Sequence, residues 1–426
     1  MAQRPVKADR SRLIMPQRLN WSAAVDLQKQ LFNMVQRGRE TRVVLDLRSV
    51  DKVYPNGIIP VITEIQHYVG SGLRVKVLPP EDKHTFAFFE KSGWLHYLDP
   101  IEWADTGFLI ENPYALQRFS TYEELNNIIN KVAKTCLKDL HFADGAHDAF
   151  IWSVNEIADN VLNHSTSKYG WVQVITYRDH ESLALFVCDT GVGIFRTISQ
   201  AFSVRDDEGA LELAIRKGVT RDPSIGQGNG LAGTYAIAQH SQGSLAITSG
   251  MGRLTMFDGK LKISAHTPHL RGTYVDMTLR TNVEVDLPKA IGGKPMPFAE
   301  MQYFDEGGEI KIALREHASN FGNRATGRSM RSIIANFMTQ YPGQPIKVDL
   351  TDVGIISSSF ADELFGKLFT ELGPLSFGQT IRPINVNPVC KELIDIAINQ
   401  RVGQLSAMPA VAPIVRRARV GRQNRR

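Results

Sequence analysis

Two polar side chains one helical turn apart give the first sign of chemistry. In segment 152–165 (WSVNEIADNVLNHS), apolar residues recur with a period near 3.6, which predicts a helix with Glu156 and Asn160 on one side. An amide oxygen is a suitable ligand for Mg²⁺, and a carboxylate accepts a proton from an attacking water or hydroxyl. A solvated helix face would show the same spacing, so the pair alone does not identify a site.

The second candidate lies where a predicted buried strand ends. Segment 182–188 (SLALFVC) is apolar and is followed by Asp-Thr-Gly-Val-Gly. Asp189 is placed to accept a hydrogen bond from an exocyclic amine such as that of adenine. Gly191 and Gly193 allow the backbone to approach a ligand closely. The alternative is an ordinary turn with an Asx hydrogen bond, which Asp-x-Gly often makes.

The third candidate is a glycine-rich loop before an apolar helix. Gly226, Gly228 and Gly230 precede a helix predicted from Leu231 to His240. Backbone amides at the start of a helix suit a phosphate group. The loop is not a Walker A motif, because no Gly-Lys-Ser/Thr follows, and its spacing differs from that of the dinucleotide fingerprint.

In this order, the three segments resemble the GHKL ATPase superfamily of histidine kinases, anti-sigma-factor kinases, gyrase, Hsp90 and MutL. NEIADN resembles its N box, DTGVGI its first glycine box and GQGNGL its second. RGTYVDMTL, with Gly272 and Thr273, resembles the closing Gly-Thr strand. The resemblance covers roughly 112–281 and implies ATP and Mg²⁺ as cofactors.

The resemblance also implies a role for each matching residue. Glu156 would polarise the attacking group, Asn160 would coordinate Mg²⁺, and Asp189 would bind adenine. Gly191 and Gly193 would shape the base pocket. The other implied nucleotide-binding positions are Lys217, Gly226, Gly228, Gly230, Leu231 and Thr273. For Lys217, on the segment that forms a lid in this superfamily, a merely solvated charge is the alternative.

Composition excludes several classes of protein. The 426 residues suggest two to four domains, and 43% hydrophobic with 22% charged residues is typical of globular chains. No apolar run reaches the roughly 18 residues of a membrane helix, and we expect no secretory signal because residues 1–12 are charged and lack an apolar stretch. Three scattered cysteines form neither a disulfide framework nor a metal cluster, so we expect a cytoplasmic protein.

The positive net charge of the chain comes from one short segment. The net charge is +5, and the last eleven residues, 416–426, contain six arginines. Without this tail the chain is close to neutral. Because basic tails are usually solvated, we expect nucleic-acid contact only weakly and only there.

Residues 1–105 alternate predicted strands and helices, which indicates a small α/β layer domain. The pattern of 43–78 resembles a STAS domain, the fold of anti-sigma-factor antagonists. Where those antagonists carry Asp-Ser-Ser-Gly, this chain has Tyr54-Pro55-Asn56-Gly57, so the phosphoacceptor hydroxyl is missing. A generic α/β domain is the alternative.

Segment 346–369 repeats the N-terminal pattern at a constant offset of 303 residues, with Asp46 matching Asp349. This repeat predicts a second STAS-like domain at 305–403. By the resemblance, Ser358 lies at the phosphoacceptor position. The alternative is that Ser357–Ser359 simply caps a helix.

We therefore predict a multidomain α/β chain. Its centre is a two-layer α/β sandwich of the GHKL type with a mixed sheet and a hairpin turn at Gly250–Gly252. The predicted parts are a STAS-like domain at 1–105, the ATP-binding domain at 112–281, a linker at 282–304, a STAS-like domain at 305–403 and a basic tail at 404–426.

Two functions fit this organisation. The first is an ATP-binding signalling regulator, in which Mg-ATP binding or hydrolysis controls the flanking STAS-like domains. The second is a serine/threonine kinase like the anti-sigma-factor kinases, with Ser358 or a separate STAS protein as target. Both imply ATP and a STAS-type or other regulatory protein as partners, and relatives of this type often form homodimers. No membrane partner is expected.

Overall fold

The structure, a computed structural model, describes residues 5–9, 11–105, 107–216, 230–291, 303, 305, 309–318 and 320–406. The chain is a multidomain α/β protein that divides into two compact units. The first comprises residues 1–304 and 335–342, and the second comprises 305–334 and 343–426. In the described part of the chain, no helix has the length and apolar character needed to cross a membrane.

The first unit begins with a small sheet that has helices on one face. Its elements are β1 (Lys7–Asp9), β2 (Arg12–Ile14), β3 (Arg18–Leu19), α1 (Trp21–Phe32), β4 (Arg42–Asp46), β5 (Lys52–Val53), α2 (Pro55–Gly70), β6 (Arg74–Leu78), α3 (Lys83–Lys91), α4 (Trp94–Leu98) and α5 (Phe108–Glu111). The sheet order is β1-β2-β4-β6, and β2, β4 and β6 are parallel. Leu13, Val43, Leu45 and Val77 are buried on the face that α1, α2 and α4 cover.

A five-stranded sheet forms the rest of the first unit. Its elements are β7 (Gln117–Phe119), α6 (Tyr122–Asp139), α7 (Ala146–His164), β8 (Gly170–Tyr177), β9 (Ser182–Asp189), α8 (Gly193–Ile198), α9 (Asp207–Ala214), α10 (Gly230–His240), β10 (Ser244–Phe257), β11 (Lys260–Arg280) and α11 (Leu287–Ile291). The order is β10-β11-β9-β8-β7, and every pairing is antiparallel. The predicted mixed sheet is therefore wrong for these strands, because hairpins join β8 to β9 and β10 to β11.

The predicted hairpin turn at Gly250–Gly252 is also wrong. Strand β10 runs on to Phe257, and the pairing with β11 shifts register between Ser249 and Gly252. Gly250 has a φ of +61°, and a Cβ there would lie 2.2 Å from Asp207 Oδ1. The glycines therefore form a β-bulge that lets the strand pass α9, and the chain reverses further on, at Asp258–Gly259.

Strand β9 is buried along its whole length because helices cover both faces of the sheet. Ala184, Phe186 and Cys188 belong to one hydrophobic core with residues of α1 and α2. The alternate residues, Leu183, Leu185 and Val187, point to the face on which α7 and α10 pack. The N-terminal layer and the five-stranded sheet thus share a core.

The second unit contains another parallel sheet, of order β12-β13-β14. Its elements are β12 (Ile310–Ala313), α12 (Leu314–His317), α13 (Arg324–Gln340, which ends within the first unit), β13 (Ile346–Asp349), α14 (Ser358–Ala361), α15 (Lys367–Thr380), β14 (Ile381–Ile384) and α16 (Pro388–Ser406). Helices α13 and α14 begin 303 positions after α1 and α2. The structure therefore confirms the internal repeat.

A buried hydrogen bond joins the N-terminal layer to the five-stranded sheet, and its loss should be measurable. Trp94 Nε1 donates to Gln173 Oε1 at 2.9 Å, and both residues are almost fully buried. We expect Gln173→Met to lower the free energy of unfolding by about 1–3 kcal/mol, because it leaves unpaired both the indole N–H and the Tyr114 carbonyl, to which Gln173 Nε2 donates at 3.0 Å. Urea unfolding of the full chain measures this.

The double variant Trp94→Phe, Gln173→Met is the control, since it removes donor and acceptor together. It should cost less than the sum of the single variants. Strict additivity of the two changes would contradict a direct hydrogen bond.

Candidate functional site

Helix α7 presents Glu156 and Asn160 to the first residue of α10. A Cβ built at Gly230 would lie 2.6 Å from Glu156 Oε2 and 3.7 Å from Asn160 Nδ2. The two side chains therefore reach the same point, on one side of α7, as their spacing predicts. Glu156 is half-buried, and burial, with a smaller effect of Asp159, raises the pKa of its carboxyl.

Close packing holds α10 in this position. A Cβ at Gly233 would lie 2.2 Å from the Trp152 ring of α7, so only glycine allows this approach. The first turn of α10, which begins at Gly230, therefore lies beside Glu156 and Asn160. Leu231 lies in the same turn and is half-buried.

Asp189 ends β9 as a buried carboxyl group, 4% exposed. Burial raises its pKa to about 7, although hydrogen bonds from the backbone N–H groups of Gly191 and Thr273 act in the opposite direction. The Gly191 N–H donates to Oδ1 at 2.7 Å. A Cβ at Gly272 would lie 2.6 Å from the same oxygen, so the closing strand also passes close to the carboxyl group.

The loop after Asp189 folds against the C-terminal end of α7. The Val192 N–H donates to the Ser165 carbonyl at 2.8 Å. A Cβ at Gly191 would lie only 1.8 Å from that carbonyl oxygen. Gly193, with a φ of +77°, starts α8 in a conformation that favours glycine. The loop therefore connects the Asp189 end of the site to the helix that carries Glu156 and Asn160.

Ser249 joins the two sides of the loop, and sequence patterns did not single it out. Its buried hydroxyl accepts a hydrogen bond from the Ile194 N–H and donates one to the Gly272 carbonyl, both at 2.9 Å. The same hydroxyl lies 3.2 Å from Thr273 Oγ1. In the sequence, the only sign of this role is that the serine directly precedes Gly-Met-Gly. A serine at that position is indistinguishable from an ordinary strand residue.

Several predicted positions cannot be placed. Lys217, Gly226 and Gly228 fall in 217–229, outside the described residues. Asn160 stays the predicted Mg²⁺ ligand, and the described ranges contain no group of three or more His, Cys, Asp or Glu side chains suited to a metal ion.

In the second unit, Ser358 is exposed at the first residue of α14. Ser357 is the N-cap, because its Oγ accepts the Phe360 N–H at 3.0 Å, and it lies 3.0 Å from Ser359 Oγ. The capping alternative is thus confirmed for Ser357. It leaves the Ser358 hydroxyl accessible.

One comparison with known proteins identifies part of the chain. Residues 327–390 match a family described as "STAS-like domain of unknown function (DUF4325)". A STAS-like domain is therefore present in this segment, as the repeat predicts, and it contains Ser358. No curated protein matches the chain.

The buried charge of Asp189 should make stability depend on pH. Because its folded-state pKa is raised, the folded protein binds this proton more tightly, and stability from this group falls as pH rises from about 4 to about 7. We expect Asp189→Asn to raise the free energy of unfolding by about 2–4 kcal/mol at about pH 8, and by less at about pH 5. Urea unfolding at both pH values measures this. An equal effect at the two values would contradict the raised pKa.

The contact of Gly191 with Ser165 should tolerate no side chain. We expect Gly191→Ala to lower the free energy of unfolding by more than about 2 kcal/mol, because its Cβ would overlap the Ser165 carbonyl. Gly70→Ala is the matched control, since no described atom lies within 4 Å of its Cβ position. That variant should stay within about 1 kcal/mol of the parent. Similar losses in both variants would refute the close approach.

Proposed function

We propose that residues 112–281 form an ATP-binding domain of the GHKL type, and that the chain is an ATP-operated signalling regulator. One observation chiefly supports this proposal. Gly230 lies against Glu156 and Asn160, and the loop after Asp189 packs on the end of the same helix. Gly230 and the loop after Asp189 thus both contact the C-terminal half of α7, which is what a nucleotide pocket built by these motifs would require.

The Asp189 end has the chemistry of a base pocket. Its carboxyl group accepts a hydrogen bond from Gly191 and keeps acceptor capacity for an exocyclic amine. The closing strand passes close to this carboxyl group at Gly272, where a Cβ would lie 2.6 Å from Oδ1, and Thr273 adds a hydroxyl group. In the proposed function, the exocyclic amino group of adenine donates a hydrogen bond to this carboxyl group.

The Glu156 end has the chemistry of a phosphate site. Bound Mg-ATP would supply the transferable phosphate and its counter-ion. The Asn160 amide oxygen suits Mg²⁺, and the first turn of α10 at Gly230 offers backbone N–H groups. The raised pKa of Glu156 brings its basicity closer to neutral pH, which suits a group that takes a proton from a nucleophile.

The N-terminal layer supplies a physical route for regulation. Thr63 of α2 lies 3.2 Å, hydroxyl to thiol, from Cys188, the residue before Asp189. Because α1 and α2 begin at the positions that correspond to α13 and α14, we propose that this layer is STAS-like as well. A change in its packing would reach the base pocket through β9.

The alternative function is a serine/threonine kinase of the anti-sigma-factor type. It is favoured by the exposure of Ser358 at the start of α14, inside the STAS-like segment. In that function Glu156 would take the proton from the serine hydroxyl as the phosphate is transferred. The target would be the chain's own Ser358, or a separate STAS protein.

Nucleotide binding tests both functions. We expect Asn160→Ala to weaken Mg-dependent ATP binding at least about tenfold, and Glu156→Gln to keep binding but slow turnover by about 10²–10⁴-fold. Calorimetry and phosphate release measure the two effects. Asn155→Ala is the matched control, because that amide donates to the Ile151 carbonyl of its own helix. Equal losses from Asn155→Ala and Asn160→Ala, or no ATP binding by the parent, would refute the pocket.

The fate of the γ-phosphate separates the two functions. Incubation with γ-labelled Mg-ATP should release free phosphate if the chain is an ATPase switch. Label on the protein, mapped to Ser358 and absent from Glu156→Gln, would instead establish the kinase.

A further inference from the structure

The uncovered face of the four-stranded sheet is strongly basic. Residues paired in register on neighbouring strands share a face, and residues two apart on one strand do too. This rule places Arg12, Arg42, Arg74 and Lys76 on the face opposite α1, α2 and α4, and Lys7 adjoins them on β1. We call these five cations the basic face. All but the half-buried Arg12 are exposed.

Most of these charges have no counter-charge. Arg12 pairs with Asp46, which Arg48 also contacts. Within the described ranges, the other four cations of the basic face form no ion pair. Even when Asp9 and Asp46 are both counted against the five cations, the face keeps a surplus of three positive charges.

The corresponding sheet of the second unit differs in this respect. There the register row Lys311, Lys347 and Arg382 corresponds to Arg12, Val44 and Lys76. Every cation of this row in the second unit has an acidic partner. Lys311 pairs with Asp349, Lys347 pairs with Asp305 and Glu309, and Arg382 pairs with Glu309. In the N-terminal row Arg12 is likewise paired, with Asp46, so the contrast depends on Lys76 and its neighbours Arg42 and Arg74, which form no ion pair among the described residues.

We infer that the basic face binds the phosphate backbone of a nucleic-acid duplex without reading its sequence. Protein–protein interfaces are depleted in charged residues at their centre, whereas nucleic-acid interfaces are polar and positive. Ile14, Val44 and Leu78, between the cations, are half-buried, so they offer little apolar area to a protein. The described residues of this face include no aromatic ring on which single-stranded bases would stack. A guanidinium group can donate two parallel hydrogen bonds to one phosphate group, so the arginines of the basic face suit a phosphate backbone.

Fluorescence anisotropy with a short labelled DNA or RNA duplex of arbitrary sequence tests the inference on the full chain. We expect binding at low salt that weakens steeply as salt rises. The variant Arg42→Gln, Arg74→Gln, Lys76→Gln should bind at least about tenfold more weakly, and the slope of log K against log salt should fall by roughly 2–3. These side chains are exposed, so thermal unfolding should stay close to that of the parent.

The matched control removes the same charge elsewhere. Lys260→Gln, Lys262→Gln, Lys289→Gln changes three exposed lysines outside the basic face and should bind like the parent. An equal loss in both variants would assign binding to net charge or to the Arg-rich tail and overturn the inference. Absence of duplex binding by the parent would also overturn it. Two competition results would overturn the inference as well. Displacement of the duplex by polyglutamate at equal charge would indicate an acidic protein as the partner, and a preference for anionic vesicles would indicate a membrane.

Discussion

The central sheet must be covered on both faces, and the rest of the first unit depends on this constraint. Strand β9 is apolar at almost every position, so neither face can be left in water. Helices α7 and α10 cover one face. On the other, Trp21 stacks on Tyr274 with ring centres 5.7 Å apart, and Thr63 contacts Cys188. The N-terminal layer is therefore a structural part of the sheet that carries Asp189.

That burial has an electrostatic consequence at the end of β9. A carboxyl group enclosed by both layers loses most of its hydration, and its charged form becomes less favourable. Two backbone N–H groups, from Gly191 and Thr273, compensate only in part, since the pKa still rises to about 7. Native proteins tolerate such a cost mainly where a ligand uses the group. The glycines around Asp189 allow the backbone to pack directly against it, since a Cβ at Gly272 would lie 2.6 Å from its Oδ1.

The sequence indicated local elements well and their assembly poorly. The period of α7, the apolar run of β9 and the 303-residue repeat were readable because each depends on neighbouring residues. An apolar stripe does not say what it packs against, so the docking of α1 and α2 on the sheet was not predicted. Gly250 and Gly252 fit a turn and a bulge equally well. Ser249 gains its role only through Gly272, which lies 23 positions away.

The two copies of the repeat show which features belong to the fold and which have diverged. Asp46 and Asp349 end the central parallel strands of both sheets, and each is held by cations and hydrogen bonds that lower its pKa. A group that is satisfied in the same way in both copies is best explained by the needs of the strand end. The surrounding charges differ: acids neutralise all three cations of the row in the second unit, whereas Lys76 in the N-terminal row forms no ion pair among the described residues. Unpaired like charges repel one another and bring no stability, so the cluster of unpaired cations on the N-terminal sheet is not explained by the fold, and the inferred duplex binding would account for it.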